Sequence, residues 1–194
     1  MSGKPETYPH VLAWLAHFAR KHRGRLRVLE AGCGGGQYAD ALPGHEWLGF
    51  DLPETWYERL RPPSFFASAE RVPIASETVD IVFSVAAFDY FENPQNVLGE
   101  FHRVLRPGGQ CLIFTYDLAT LKQIHQNCLA LPETATVRGH HVTDETEMRR
   151  LGTIAGFAYL RPLCYMPWKH AIENVTVALR PTNHRTYLLA RASA

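Results

Sequence analysis

The decapeptide Val28-Leu29-Glu30-Ala31-Gly32-Cys33-Gly34-Gly35-Gly36-Gln37 constrains this chain more than any other segment. An apolar run ends in a carboxylate and passes straight into a glycine-dense turn. Arg25 to Leu29 reads as a short buried strand, and Gln37 to Leu42 as the start of a helix stopped by Pro43-Gly44. Glycine has no Cβ, so a ligand can lie against such a turn and meet its backbone N–H groups. The segment therefore predicts a nucleotide-like ligand at the carboxyl end of the first strand of an α/β domain.

Two cofactor classes use this geometry. The dinucleotide fingerprint requires a third glycine where this chain has Gln37, whereas Gly32, Gly34 and Gly36 give Gly-x-Gly-x-Gly two residues after Glu30. Trp47 to Phe50 reads as a second strand ending at Asp51, 21 residues beyond Glu30. An ionised carboxylate there can accept both hydroxyls of a ribose. Dehydrogenases share that acidic position, so Asp51 supports an adenosine ligand without choosing between cofactors.

The middle of the chain makes the choice. Ala69-Glu70-Arg71-Val72-Pro73-Ile74 precedes Val79-Asp80-Ile81-Val82-Phe83-Ser84, then Asn93-Pro94, then Glu100-Phe101-His102-Arg103-Val104-Leu105-Arg106-Pro107-Gly108-Gly109. With the glycine turn, these segments resemble, in order and spacing, the class I S-adenosylmethionine-dependent methyltransferases of the small-molecule, ubiquinone/menaquinone methyltransferase-like family. The resemblance covers roughly residues 25 to 160. Pro94 to Leu105 is also a good amphipathic helix, with Val97, Leu98, Phe101, Val104 and Leu105 on one face, so much of that signature is structural. Arg103 and Arg106 are not expected to be catalytic.

Other elements follow the same reading. Val11, Leu12, Trp14, Leu15 and Phe18 form a helical stripe near the N-terminus. Ser64 to Ala67, Val79 to Ser84 and Cys111 to Tyr116 read as strands, and Leu118 to Gln126 as helical. Thr143 or Asp144 caps a helix carrying Met148, Leu151 and Ile154, which Gly156 ends. Phe157 to Cys164 and Arg185 to Ala190 read as the last two strands. Alternating strands and helices predict a mostly parallel sheet covered on both faces. The resemblance implies the fold class: α/β, a Rossmann-like sheet of seven strands in the order 3-2-1-4-5-7-6, with strand 7 antiparallel. One domain over 1–194 is expected, with a helical region at 1–24, a motif-bearing core at 25–160 and the final strands at 161–194.

The resemblance also implies the site. S-adenosyl-L-methionine would lie over Gly32, Cys33 and Gly34, with Glu30 holding the turn or approaching the amino group. Asp51 would take the ribose, Leu52 would lie against the adenine, and Ala69 and Glu70 would meet its edge. Ser68 stands where the family commonly has Asp, which gives a weaker, uncharged acceptor for the adenine amino group. Ser84 would sit near the methionine carboxylate or amino group. A hydroxyl acceptor also needs a general base. The candidates are Asp89, where the family often carries His-His, and His140 and His141 on a later loop; Tyr116 and Asp117 are pocket-lining candidates. The bland alternatives are a turn-stabilising Asp89 and solvated loop histidines.

Composition bounds the rest. A net charge of +1 gives no general drive toward nucleic acid or membrane, and the basic run Arg20 to Arg27 reads as a solvated helix end. Cys33, Cys111, Cys128 and Cys164 show no metal-type spacing, so no metal is expected. The absence of a secretory signal or spanning stretch makes reduced thiols and a cytoplasmic location the expectation. The brief N-terminal region leaves room for a lid borrowed from a second copy, so a homodimer is an expectation. The leading function is methyl transfer to a small-molecule acceptor at oxygen. The alternative is a catalytically inactive protein of the same fold acting as a binding or partner subunit. A nicotinamide-dependent oxidoreductase is disfavoured by Gln37 and by the downstream segments.

Overall fold

Alternate side chains of the central strands enter two different apolar layers, and this alternation builds the molecule. The computed structural model describes residues 9–22, 24–53, 61–116, 144–162 and 184–193. In β1 (Arg27–Ala31), Val28 enters one layer, while Leu29 and Ala31 enter the other. In β4 (Val79–Val85), Ile81 and Phe83 join Val28, and Val82 joins Leu29. In β5 (Leu105–Tyr116), Leu112 and Phe114 face the first layer, and Cys111 and Ile113 the second. A strand buried on both faces has no polar side, which is why β4 reads as a nearly continuous apolar run.

Helix α1 (Pro9–Lys21) covers the first layer with Val11, Leu15 and Phe18. Helices α2 (Pro94–Val104) and α3 (Glu145–Ile154) cover the second with Val97, Leu98, Phe101, Met148 and Leu151. Asn93 caps α2 by accepting from the Asn96 N–H at 3.1 Å, with Pro94 in the first helical turn. Asp144 caps α3 by accepting from the Glu147 N–H at 2.8 Å. The remaining strands are β2 (Glu46–Asp51), β3 (Ser64–Phe66), β6 (Tyr159–Pro162) and β7 (His184–Ala190). Their order is β3-β2-β1-β4-β5-β7-β6, parallel except for β7, which runs antiparallel to β5 and β6. The expected sheet is the one observed.

One local expectation is corrected. Residues 37–42 form successive turns, not a helix. Their backbone bonds reach back three residues, from Gly36 N–H to Cys33 O at 2.8 Å, Ala39 to Gly36 at 3.2 Å and Ala41 to Tyr38 at 2.9 Å. Six residues between a glycine at φ +70° and Pro43 are too few to offset the nucleation of an α-helix. Tyr38 and Leu42 still bury into the α1 layer, and that burial holds the turns in place. Helices nonetheless cover both faces.

The long middle signature braces the scaffold. The Arg103 guanidinium donates to Ile74 O at 2.9 Å, to Val72 O at 3.0 Å and to Glu100 at 2.8 Å. Glu100 in turn accepts the Val72 N–H at 3.0 Å. Arg106 donates to Asp80 at 2.9 Å, and the other Asp80 oxygen accepts the Arg27 N–H at 2.7 Å. These arginines clamp the loop before β4 and the amino ends of the strands, away from the carboxyl edge. Leu118 to Gln126 lies outside the described residues.

Candidate cofactor site at the carboxyl edge of the sheet

The glycine turn is fastened to the end of β2 by its own backbone. Gly32 and Cys33 both donate their N–H groups to Phe50 O, at 2.9 and 3.0 Å. Gly34 N–H donates to Asp51 Oδ2 at 2.7 Å, and Leu52 N–H to Asp51 Oδ1 at 2.8 Å. Each carboxylate oxygen has two acceptor directions, so Asp51 can hold the turn and still accept two ribose hydroxyls. Gly32 is obligatory here: its φ is +72°, and a Cβ would lie 2.3 Å from Ala87 Cβ. The loop after β4 therefore closes directly onto the turn after β1, the point where the strand order reverses and where open α/β sheets bind ligands.

Two carboxylates flank this turn. Glu30 is 2% exposed and, among the described residues, accepts one bond, from the Trp47 indole N–H at 2.8 Å. Burial holds its carboxyl well above the usual carboxylate range; the Trp47 bond offsets part of this, and the Asp51 charge adds to it. Burial also raises Asp51, against the lowering effect of the Gly34 and Leu52 amides. The Cys33 thiol is pushed up by burial and then by both carboxylates, so it serves as a small apolar side chain.

The remaining expected residues are placed as follows. Leu52 is an exposed apolar side chain at the end of β2. Ser68 is exposed, and its hydroxyl accepts the Glu70 N–H at 3.2 Å; Ala69 is buried behind it. Glu70 accepts from the Asn96 side chain of α2 at 2.9 Å. Ser84 is fully buried near the end of β4, and its hydroxyl has no hydrogen-bond partner among the described residues. Such an orphan is uncommon in a native interior and suits a group that a ligand completes.

Asp89 stands on the single 3-10 turn Phe88–Tyr90 after β4 and is fully buried, with the Thr115 hydroxyl of β5 donating to it. His140, His141 and Asp117 lie outside the described residues, and of Tyr116 only the backbone of β5 is described. Sequence reasoning missed three participants. The sequence reads Trp47 as a strand residue, does not single out Thr115, and places Gln37 only against the dinucleotide fingerprint and at the start of a helix. The Gln37 Oε1 is the other buried side-chain polar atom left unpaired among the described residues. The strand register that places Trp47 opposite Val28, beside Glu30, is not readable locally.

The donor set fits S-adenosyl-L-methionine. There is a carboxylate fixed at the end of β2, a second, buried carboxylate two residues before the turn, a turn that tolerates no Cβ at Gly32, and in β4 a hydroxyl without a partner among the described residues. Among the described residues no three His, Cys, Asp or Glu side chains gather to hold a metal, and no helix is long and apolar enough to cross a membrane.

Comparison with known proteins agrees. Residues 29–113 match the family described as a methyltransferase domain. A malonyl-[acyl-carrier protein] O-methyltransferase of Hamiltonella defensa is 33% identical over 106 residues, covering 51% of this chain and 41% of that protein. The enzyme of the same name from Porphyromonas gingivalis is 31% identical over 139 residues, covering 68% of this chain and 51% of its own length. The chain thus spans about half or less of these curated relatives. Among solved structures, the YcgJ protein of Bacillus subtilis superposes with a TM-score of 0.64 at 18% identity, covering 95% of this chain and all of that one. An S-adenosylmethionine-dependent methyltransferase of Mesorhizobium loti gives 0.63 at 17%, covering 93% and 98%. The two structural likenesses speak for the fold. Over residues 29–113 the sequence matches a methyltransferase domain.

Proposed function

We propose that this chain transfers a methyl group from S-adenosylmethionine to oxygen, and that the accepting oxygen belongs to a carboxylate of an acyl compound. When bound, the cofactor supplies a sulfonium methyl already activated for in-line displacement, so the protein must chiefly align the acceptor. The observation that carries the reading is the Asp51 carboxylate, fixed at the end of β2 by two backbone amides beside a turn that admits no side chain at Gly32. Asp51 accepts the ribose, Leu52 offers an apolar face to the base, and Ser84 offers a buried hydroxyl to the methionine end.

The acceptor chemistry is supported by Asp89. Of the candidate bases it is the one among the described residues, and it is fully buried and engaged by Thr115. A hydroxyl acceptor needs a base within reach, whereas a carboxylate is already ionised near neutral pH and needs none. Relatives matched over part of their length are named for O-methylation of malonyl-[acyl-carrier protein], an acceptor of this kind. A small free hydroxyl compound, as the ubiquinone-like resemblance suggests, is the competing acceptor class.

The test is transfer of labelled methyl to malonyl-carrier protein, to a free malonyl thioester and to a panel of small phenols and alcohols. Base-labile methyl ester on the malonyl substrates supports the proposal, and label confined to hydroxyl compounds overturns its acceptor. Cofactor binding with no transfer to any acceptor would favour the inactive partner-subunit reading.

A further inference from the structure

Trp47 links the carboxylate before the turn to the turn's far end and to β2. Its indole N–H holds Glu30 at 2.8 Å. A Cβ on Gly36 would lie 3.2 Å from its ring, and one on Gly49 would lie 2.6 Å from it. The side chain is 5% exposed and packs in the α1 layer with Val28, Tyr38 and Phe83. Glu30 is therefore held by the indole that packs against Gly36, with one described donor.

Among the described residues no cationic side chain is paired with Glu30. Asp51 at the end of β2 pushes against it, as does any charge on the Cys33 thiol. On the turns packed nearby, Asp40 is bound by Arg61 at 2.8 and 2.6 Å, and His45 accepts the Leu26 N–H at 3.0 Å. Arg27 on β1 is bound to Glu46 at 2.9 Å. On α1, the helix over this layer, Arg20 is exposed and His17 has an interaction of its own. With no described cation paired to Glu30, the cofactor's sulfonium and amino groups bring a positive charge that complements it.

We propose that Trp47 is a positioning residue for the cofactor, holding the Glu30 carboxyl group beneath the glycine turn so that it gives up a proton when the cationic cofactor binds. The carboxyl O–H bond breaks, the proton passes to buffer, and the electron pair stays on Glu30 facing the cofactor's charge. S-adenosylhomocysteine has lost the sulfonium charge, so it draws out less of that proton, and the site releases the product more readily than a neutral pocket would. The buried, raised carboxyl and the single indole bond support this linkage. The inference rests on the cofactor assignment of the proposed function.

Calorimetry in buffers of different ionisation enthalpy counts the protons released on binding S-adenosylmethionine and S-adenosylhomocysteine, from about pH 5.5 to about pH 8, above the ordinary carboxylate range. The native chain is expected to release protons at the acid end, more with the methionine form, with affinity rising about tenfold per pH unit for each proton released. Glu30→Gln keeps the Trp47 bond, since its amide oxygen can accept the indole N–H, and should release fewer protons than the native chain. Trp47→Phe keeps an aromatic ring in the layer but loses the donor, together with the indole edge against Gly36 and Gly49, so its proton release should persist to higher pH. A purely structural Trp47 would instead weaken binding by the same factor at every pH, which would overturn the positioning role. Equal proton counts in the native chain and Glu30→Gln would overturn the linkage while leaving the cofactor assignment intact. No cofactor heat in the native chain would overturn that assignment and this inference together.

Discussion

The carboxyl edge holds one carboxylate at the end of β2 and another on the 3-10 turn after β4, and it holds them differently. Asp51 is fixed by main-chain amides from its own neighbour and from the glycine turn. Asp89 is fixed by a side-chain hydroxyl 26 residues away in sequence. The first arrangement follows from the local chain, because backbone donors are present whatever the side chains are. The second depends on the pairing of β4 with β5. A cofactor common to a whole family suits the first kind of site, and an acceptor that changes between relatives suits the second.

The largest expected effect lies at the closed junction between the two regions. Gly32→Val adds a branched side chain at φ +72° against Ala87, and overpacking with left-handed strain should remove at least about 2 kcal/mol of stability. Chemical denaturation reads it directly. A stable Gly32→Val chain that still binds the cofactor would show that the β4 loop is not closed onto the turn.

Next is Thr115→Val, which removes the hydroxyl held by buried Asp89. The expected loss is roughly 1–3 kcal/mol of stability, with cofactor affinity unchanged. If affinity falls in step with stability, the two regions are one site and the comparison fails.

The pH dependence of stability separates Glu30 from both. A carboxyl whose folded value is raised binds its proton more tightly in the folded than in the unfolded chain. Its contribution to stability is greatest below the ordinary carboxylate value and falls as pH rises through the raised folded value. Glu30→Gln should therefore melt higher than the native chain at neutral pH and show a shallower loss of stability above the ordinary range. Asp51, also raised, keeps part of that slope. A native melting temperature that climbs steadily with pH over this interval would contradict the assignment.

The smallest effect is expected from Arg61→Ala. Its bond to Asp40 is exposed on both sides, and exposed pairs of this type contribute little. Melting and cofactor affinity should both stay within error. A clear loss of affinity would mean that the pair pins the turn beside Gly36.

How far the sequence could be read divides along the same line. That the glycine turn and Asp51 meet at one sheet edge beside Glu30 was legible because the pattern is local, a strand end followed by a glycine-rich turn. The sheet order was legible because the signature from Glu70 to Gly109 marks β4, α2 and β5 in sequence, and the observed braces of Arg103 and Arg106 show it to be architectural. The short segment 37–42 was misread because helical spacing of Tyr38 and Leu42 is also met by stacked turns that bury both residues. Trp47 was illegible as a partner of Glu30, since only the β1–β2 register brings them together. Thr115 was illegible for the same reason, and the burial of Asp89 could not be read from a polar residue following a strand.

The central claim is that Asp51, held by the glycine turn, is the ribose acceptor of an S-adenosylmethionine site. Calorimetric titration of S-adenosylmethionine into the native chain and into Asp51→Ala tests it most directly. Loss of charge-assisted hydrogen bonds predicts native binding weakened roughly ten- to hundredfold or more in the variant. Equal affinity in the two chains would contradict the account.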